Sequence, residues 1–315
     1  ARPFEKGHRM AEFILLGFSN HPELQTLFFL VFSTIYMVTF MGNIMIIMVI
    51  RANSRLHTPM FFLLSNLSFI DLCYMSATIP QLLVNFLRKT KTISYVVCMA
   101  QIFFLITCVG SECILLAAMA YDRYIAICHP LLYTVTMNRK VCLRMAAGSW
   151  TGGILNSLIN TLLTSALSFC GANEIRHFMC DVPPLLELSC TDTALNKTVL
   201  HTASIFIGIS PCLFIVVSYI YIVTAILRIR SAEGRHKAFS TCTSHLTVVI
   251  TFFGTALFNY NRPNSGYSLD IDTLVSTLYC IVTPMLNPII YCLRNQEVKG
   301  ALWKMVGRKQ VPPVV

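Results

Sequence analysis

The sequence predicts an all-α membrane protein, a bundle of seven transmembrane helices followed by a short amphipathic C-terminal helix. Three observations carry that expectation. Of 315 residues, 55% are apolar and only 12% are charged, against about a quarter charged in soluble domains. Seven intervals between charged residues are long enough for a helix to cross about 30 Å of hydrocarbon. Lys and Arg collect on alternate connections, as expected if basic loops stay cytoplasmic. A nucleic-acid binder with the same net charge of +10 would need a solvated basic face, and this composition leaves too little solvated surface for one.

Residues 1–23 are expected to form an extracellular N-terminus. They hold no apolar core ahead of a small-residue cleavage site, so the first span itself should act as the targeting signal. The seven intervals run 23–51, 55–88 with Asp71 inside, 91–122 with Glu112 inside, 144–174, 197–228, 237–262 and 272–294. Together they make a membrane domain over 24–294. Residues 295–315 comprise an amphipathic helix, with Val298, Leu302, Trp303 and Val306 toward lipid, and a cytoplasmic tail. With the N-terminus outside, the inner side carries fifteen Lys and Arg and three acids, the outer side nine of each, and two acids lie within the bilayer. The charge separates into +12 inside, zero outside and −2 between. No repeat relates the two halves, which disfavours the alternative of a transporter or channel, since many transporters are built from repeats.

The thirteen cysteines divide by compartment. Only Cys98, Cys170, Cys180 and Cys190 fall on the oxidising side, where four cysteines allow three pairings. Bonding Cys98, at the outer start of the third span, to a cysteine of the loop over 169–197 would pin that loop across the bundle. The other nine are small apolar packing residues. The same loop carries the sequon Asn196-Lys197-Thr198, a candidate for glycosylation. A second sequon, Asn66-Leu67-Ser68, lies inside the second span.

Polar residues within the spans are the functional candidates. Asp71 lies about 24 Å of helix from Arg55, and Glu112 about 21 Å from Cys98, so both reach similar depth. Two carboxylates there require a cation such as sodium, a shared proton, or hydrogen bonds to Asn43, Ser68 or Asn287. Asp122-Arg123-Tyr124 closes the third span. An always-charged guanidinium beside an acid suits a contact held in one state and released in another, although a basic residue at a helix end also snorkels. Near the end of the seventh span stand Pro284, Asn287, Pro288 and Tyr291. A proline frees a carbonyl and kinks the rod; Asn287 is expected to satisfy the freed backbone and Tyr291 to swing into the bundle. Pro211 and Tyr219 repeat this arrangement in span five. On span three, Leu105, Ile106, Val109, Gly110 and Cys113 share a face at helical spacing. No HExxH or comparable metal cluster occurs in the spans, and an enzyme is not expected.

Several segments together resemble a known family: EFILLG at 12–17, Gly42-Asn43, PMFFLLSNLSFIDLCY at 59–74, MAYDRYIAIC at 119–128, Ser218-Tyr219, KAFSTCTSHL at 237–246 and PMLNPIIY at 284–291. The chain resembles an olfactory receptor of the class II, tetrapod-type branch of the rhodopsin-like G-protein-coupled receptors. The resemblance implies disulfides Cys98–Cys180 and Cys170–Cys190. It implies a sodium-holding role for Asp71 and Glu112, and it adds Arg123, Tyr219, His245 and Tyr291 as activation positions. Periodicity and resemblance extend the span-three face to an odorant cage with Ser204 and Ile207, then Phe253, Ala256, Leu257 and Tyr260, then Ser276, Thr277 and Cys280. Leu105 stands where aminergic receptors carry an acid, and no Lys lies between 269 and 291, so neither an amine counter-ion nor a retinal Schiff base is expected. His177 to Asp181 resemble a loop motif proposed to bind metal; a disulfide at Cys180 removes one ligand, so no metal is expected there. The implied partners are an odorant, a heterotrimeric G protein of the stimulatory, olfactory type that raises cyclic AMP, and membrane lipids. Use as a chemosensor outside the nose is the alternative setting. The family usually carries a sequon just before EFILLG, and residues 1–18 contain none.

Overall fold

The computed structural model describes residues 12–18, 22–170, 173–260, 277, 280–290 and 296–305. The helices are α1 (Gln25–Ala52), α2 (Pro59–Leu87), α3 (Tyr95–Cys128), the short α4 (Tyr133–Thr136), α5 (Arg139–Ser165), α6 (Val182–Glu187), α7 (Ala194–Ala203), α8 (Ser210–Leu227), α9 (Ala232–Tyr260), α10 (Cys280–Ile290) and α11 (Gln296–Met305). Among the described residues, four helical stretches, α1, α2, α3 and the continuous run Ala194–Leu227, are long and apolar enough to cross a membrane. Helices α5 and α9 have comparable lengths of 27 and 29 residues.

Local chemistry sets the boundaries. Pro59 opens α2 at a position whose N–H would have no helical partner anyway. Ser94 caps α3 through the Val97 N–H, and Asn138 caps α5 through the Val141 N–H, each satisfying a donor that the first turn leaves open. Between α7 and α8 the helix widens into one π turn, Ser204–Ile209. Pro211 follows two residues later; it lacks an N–H, and its ring would crowd the carbonyl of Ile207 in a regular helix, so the widened turn accommodates it.

Helix α3 is the axis of the bundle and packs on α2, α5, α8 and α9. Its seam with α5 is built from small residues, as close membrane crossings are. A side chain on Gly153 would collide with Ser111 and the Thr107 backbone, and the Ser157 hydroxyl donates to the Phe103 carbonyl. On the α2 side, the Trp150 indole donates to Asn66 at 3.3 Å. Asn66 therefore serves as a packing partner inside the bundle.

One end of the bundle carries a lid. Strand β1 (Glu12–Leu15) lies between β2 (Thr92–Ser94), to which it runs antiparallel, and β3 (Glu174–Ile175), to which it runs parallel. Phe13 and Leu15 alternate inward with Ile93 and Ile175 to form a buried cluster around Cys98 and Cys180. The N-terminal segment is thus more than an extension of the first span. Its period-2 pattern of Phe13 and Leu15 is a strand signal, only four residues long.

Candidate functional site

The lid is fastened to the helices. Both implied disulfides are present, Cys98–Cys180 and Cys170–Cys190. Gln101, one turn beyond Cys98, accepts from the Cys180 N–H at 2.8 Å and donates to the Ala77 carbonyl at 2.9 Å. It ties the loop to α2 and α3 together. Asn196, whose sequon makes it a candidate for glycosylation, lies in the first turn of α7, where it is buried and its amide nitrogen is enclosed.

Beneath the lid, Leu105, Val109, Cys113, Ile207, Phe253, Ala256 and Cys280 join one continuous apolar core, while Ile106 packs against the lid cluster. Thr277 is also buried. The lid residues Phe178 and Met179 enter that core, and the Tyr74 hydroxyl donates to Cys280 Sγ at 3.1 Å. These three are contacts that helical periodicity alone could not name. Two cage residues depart from expectation. Gly110 faces α5, where an added Cβ would lie 3.2 Å from Gly153 Cα, so its smallness serves the helix crossing. Ser204 is exposed, and its hydroxyl turns back to the Leu200 carbonyl at 2.8 Å, because hydroxyls in helices readily bond the preceding turn. Ser276 and the side chains of Leu257 and Tyr260 lie outside the described residues.

Asp181 hangs from the lid close enough to Cys280 for its charge to reach the thiol. Its carboxylate accepts the Val182 N–H at 2.7 Å and caps α6. Burial pushes its carboxyl up to about 6, with the Val182 N–H pulling the other way.

At mid-bundle, Asn287 Nδ2 donates to Asp71 Oδ2 at 2.8 Å. The carbonyl that Pro288 leaves without its i+4 N–H is that of Pro284, and Asn43 donates to it at 3.2 Å. The expected role of Asn287 thus falls to Asn43, which sits beside a glycine whose Cβ would lie 3.0 Å from Pro288. A side chain from α1 reaches the gap because Gly42 lets the two helices approach. Glu112 is within electrostatic reach of Asp71. Among the described residues, Asp71 Oδ1, Glu112 Oε1 and Ser68 Oγ are buried without a hydrogen-bond partner.

The opposite end is closed by polar contacts. Arg123 pairs with Asp122 Oδ2 at 2.9 Å, and the Tyr133 hydroxyl donates to Asp122 Oδ1 at 2.9 Å. Burial and the Asp122 charge push the Tyr133 phenol above its ordinary range, so it remains a donor. Tyr133 has no signal in the sequence beyond being aromatic; the fold of α4 delivers it. Tyr124 lies 3.1 Å from His129. The Tyr219 hydroxyl lies 2.7 Å from His245 Nδ1 and 3.3 Å from the Cys242 carbonyl, which joins α8 to α9. The charge of Arg123 reaches Cys242 and His245. Tyr291 lies outside the described residues.

A family model described as "Olfactory receptor" matches residues 32–309. The chain belongs to the olfactory receptor family. Olfactory receptor 5A1 from Homo sapiens is 54% identical over 299 residues, covering 95% of each chain. Olfactory receptor 5AR1 from Mus musculus is 51% identical over 300 residues, covering 95% of this chain and 97% of its own, and olfactory receptor 5I1 from Homo sapiens is 50% identical over 300 residues, covering 95% and 96%. Olfactory receptors are seven-helix membrane proteins of the G-protein-coupled class and are not enzymes, which agrees with the fold expected from the sequence.

Proposed function

We propose that this olfactory receptor binds small, mostly apolar volatile molecules beneath the lid and activates a heterotrimeric G protein of the stimulatory, olfactory class, raising cyclic AMP. The lid faces the cell exterior in this reading, and the clamp and α11 face the cytoplasm. Two disulfides on the lid support that orientation, because such bonds persist in oxidising surroundings. The observation that carries the proposal is the connection through α3: the helix that presents Leu105, Val109 and Cys113 to the core beneath the lid ends in Asp122 and Arg123. A ligand that packs differently in two arrangements of α3 shifts their balance, and the clamp is where that shift is read.

An odorant burying about 300 Å² gains at most about 7 kcal/mol before association costs, so binding in the micromolar range or weaker is expected. A hydroxyl or carbonyl on the ligand finds Tyr74 and Thr277 within the buried set. In the middle of the bundle, Asp71, Glu112 and Ser68 present oxygen donors, the hard ligands that suit an alkali or alkaline-earth cation. These are the residues that would hold sodium, which would neutralise the two carboxylates. The test of the whole reading is a cyclic AMP reporter cell challenged with a chemically diverse odorant panel. Arg123→Ala should abolish responses while the receptor still reaches the surface; undiminished responses would overturn the assignment.

A further inference from the structure

Between α3, α5 and α8, in the half of the bundle that holds the clamp, lies an open groove of about 610 Å³. Its floor is made of Ala117 and Ala118 on one side and Gly148 on the other, with Phe214 as a wall. Space over Gly148 is empty: a Cβ built there meets no atom within 4 Å. Arg144 closes one end. It stands one turn before Gly148 on the same face of α5, is exposed, and forms no ion pair or hydrogen bond among the described residues. Arg139 and Lys140 begin the same helix, and no acid lies in its first turn.

The dimensions match half a bilayer. From Tyr121 to Ile114, which line the two ends on α3, the groove runs about 10 Å of helix, within the roughly 15 Å half-thickness of the hydrocarbon. Arg144 lies about 7 Å of helix beyond the start of α5, at the depth of lipid phosphates. We propose that this groove is a binding site for one anionic glycerophospholipid, whose acyl chain lies over Gly148 and whose phosphate sits on Arg144. The net negative charge matters because Arg139 and Lys140 flank the headgroup; a zwitterionic lipid brings its own cation against them. Each basic residue near the surface favours the anionic lipid by about fivefold. A sterol offers Arg144 only a neutral hydroxyl.

Occupancy would reach the clamp through packing. Tyr121, Val141 and Met145 line the groove and also pack on the cluster of Ile125, Met137 and Cys142, to which Tyr133 belongs as a neighbour. A chain filling the groove steadies the platform from which Tyr133 holds Asp122. The proposal rests on the cytoplasmic placement of the clamp only for the leaflet that supplies the lipid, not for the site itself.

The experiment uses the full-length receptor in phosphatidylcholine nanodiscs with a trace of phosphatidylserine carrying a photoactivatable acyl chain, compared with the same chain on phosphatidylcholine. Mass spectrometry maps the cross-links. Because both leaflets hold the probe, orientation does not enter, and the odorant response is scored separately. The serine lipid should label 114–121 and 141–149 at least about fivefold more than the choline lipid. Gly148→Phe should remove that labelling by filling open space, Arg144→Gln should lower labelling by both lipids, and Arg139→Gln with Lys140→Gln should bring the two lipids to equal labelling; melting curves confirm that the variants fold. Equal labelling by the two lipids in the unmodified receptor, labelling untouched by Gly148→Phe, or displacement by a photoactivatable sterol at equal dose would each overturn the proposal.

Discussion

The two ends of this receptor are closed by different chemistry. At the lid, two covalent bonds, a three-stranded sheet and an apolar cluster hold the loop and the N-terminal strand in one place. At the clamp, an ion pair, three phenols and two imidazoles do the holding. Each clamp contact is a net gain of about 1 to 3 kcal/mol, small enough for a ligand or a partner to outweigh. Under the proposed function the contrast separates positioning from switching: one end would fix the shape of the ligand site, and the other would change without unfolding anything.

Breaking the lid should cost most. Cys98→Ser is expected to lose about 2 to 5 kcal/mol, seen as loss of surface receptor and a lower melting temperature, with no rise in basal signalling. Asp122→Asn should do the reverse, raising basal cyclic AMP at least about tenfold by removing a charged contact of about 1.5 to 3 kcal/mol while leaving the amount of surface receptor unchanged. Tyr133→Phe sharpens the point: it removes one hydrogen bond to the same carboxylate and should raise basal signalling in the same direction by a smaller factor. If Asp122→Asn left basal activity at its starting level, the clamp would be structural only.

Gly17 tests the lid by crowding. A Cβ there would stand 2.8 Å from the Phe178 backbone, so Gly17→Ala should cost about 1 to 3 kcal/mol of stability, again without affecting basal output. The smallest effect concerns pH. Burial pushes the Asp181 carboxyl up to about 6 in the folded lid, above its ordinary value of 3.8. The folded state therefore binds the proton more tightly than the unfolded chain, and this group's contribution to stability declines as pH rises through that interval. Asp181→Asn keeps an acceptor for Val182 and should melt higher than the parent receptor at pH 7.5, with the difference fading toward pH 4. A constant difference across that range would mean that the carboxyl is not the titrating group.

Much of this architecture is legible in the chain itself. Charge-free intervals mark the helices because hydrocarbon excludes charge, and the oxidising side is read from topology. Asp71 with Asn287, and Tyr219 with His245, stand out as polar residues in apolar surroundings. The choice of partner is harder. That Asn43 rather than Asn287 meets the Pro284 carbonyl depends on Gly42 letting α1 approach α10, a relation between segments 241 residues apart. Likewise, periodicity groups Gly110 with the cage residues of α3 but does not say that α5 occupies the space before it. Tyr133 and Gln101 act through loops whose paths no local pattern encodes.

The widened turn at Ser204–Ile209 has a consequence for how binding and switching communicate. A π turn holds one residue more than the ladder needs, and each residue of an α-helix turns through about 100°. Moving that surplus along the chain by one turn would swivel the intervening side chains by that angle while both flanks stay put. Ile207 could then change the neighbour it presents to a ligand without dragging Tyr219 off His245. Under the proposed function this would give span five slack between its ligand-facing half and its latching half, so that differently shaped odorants could be fitted at one end before the other end must respond.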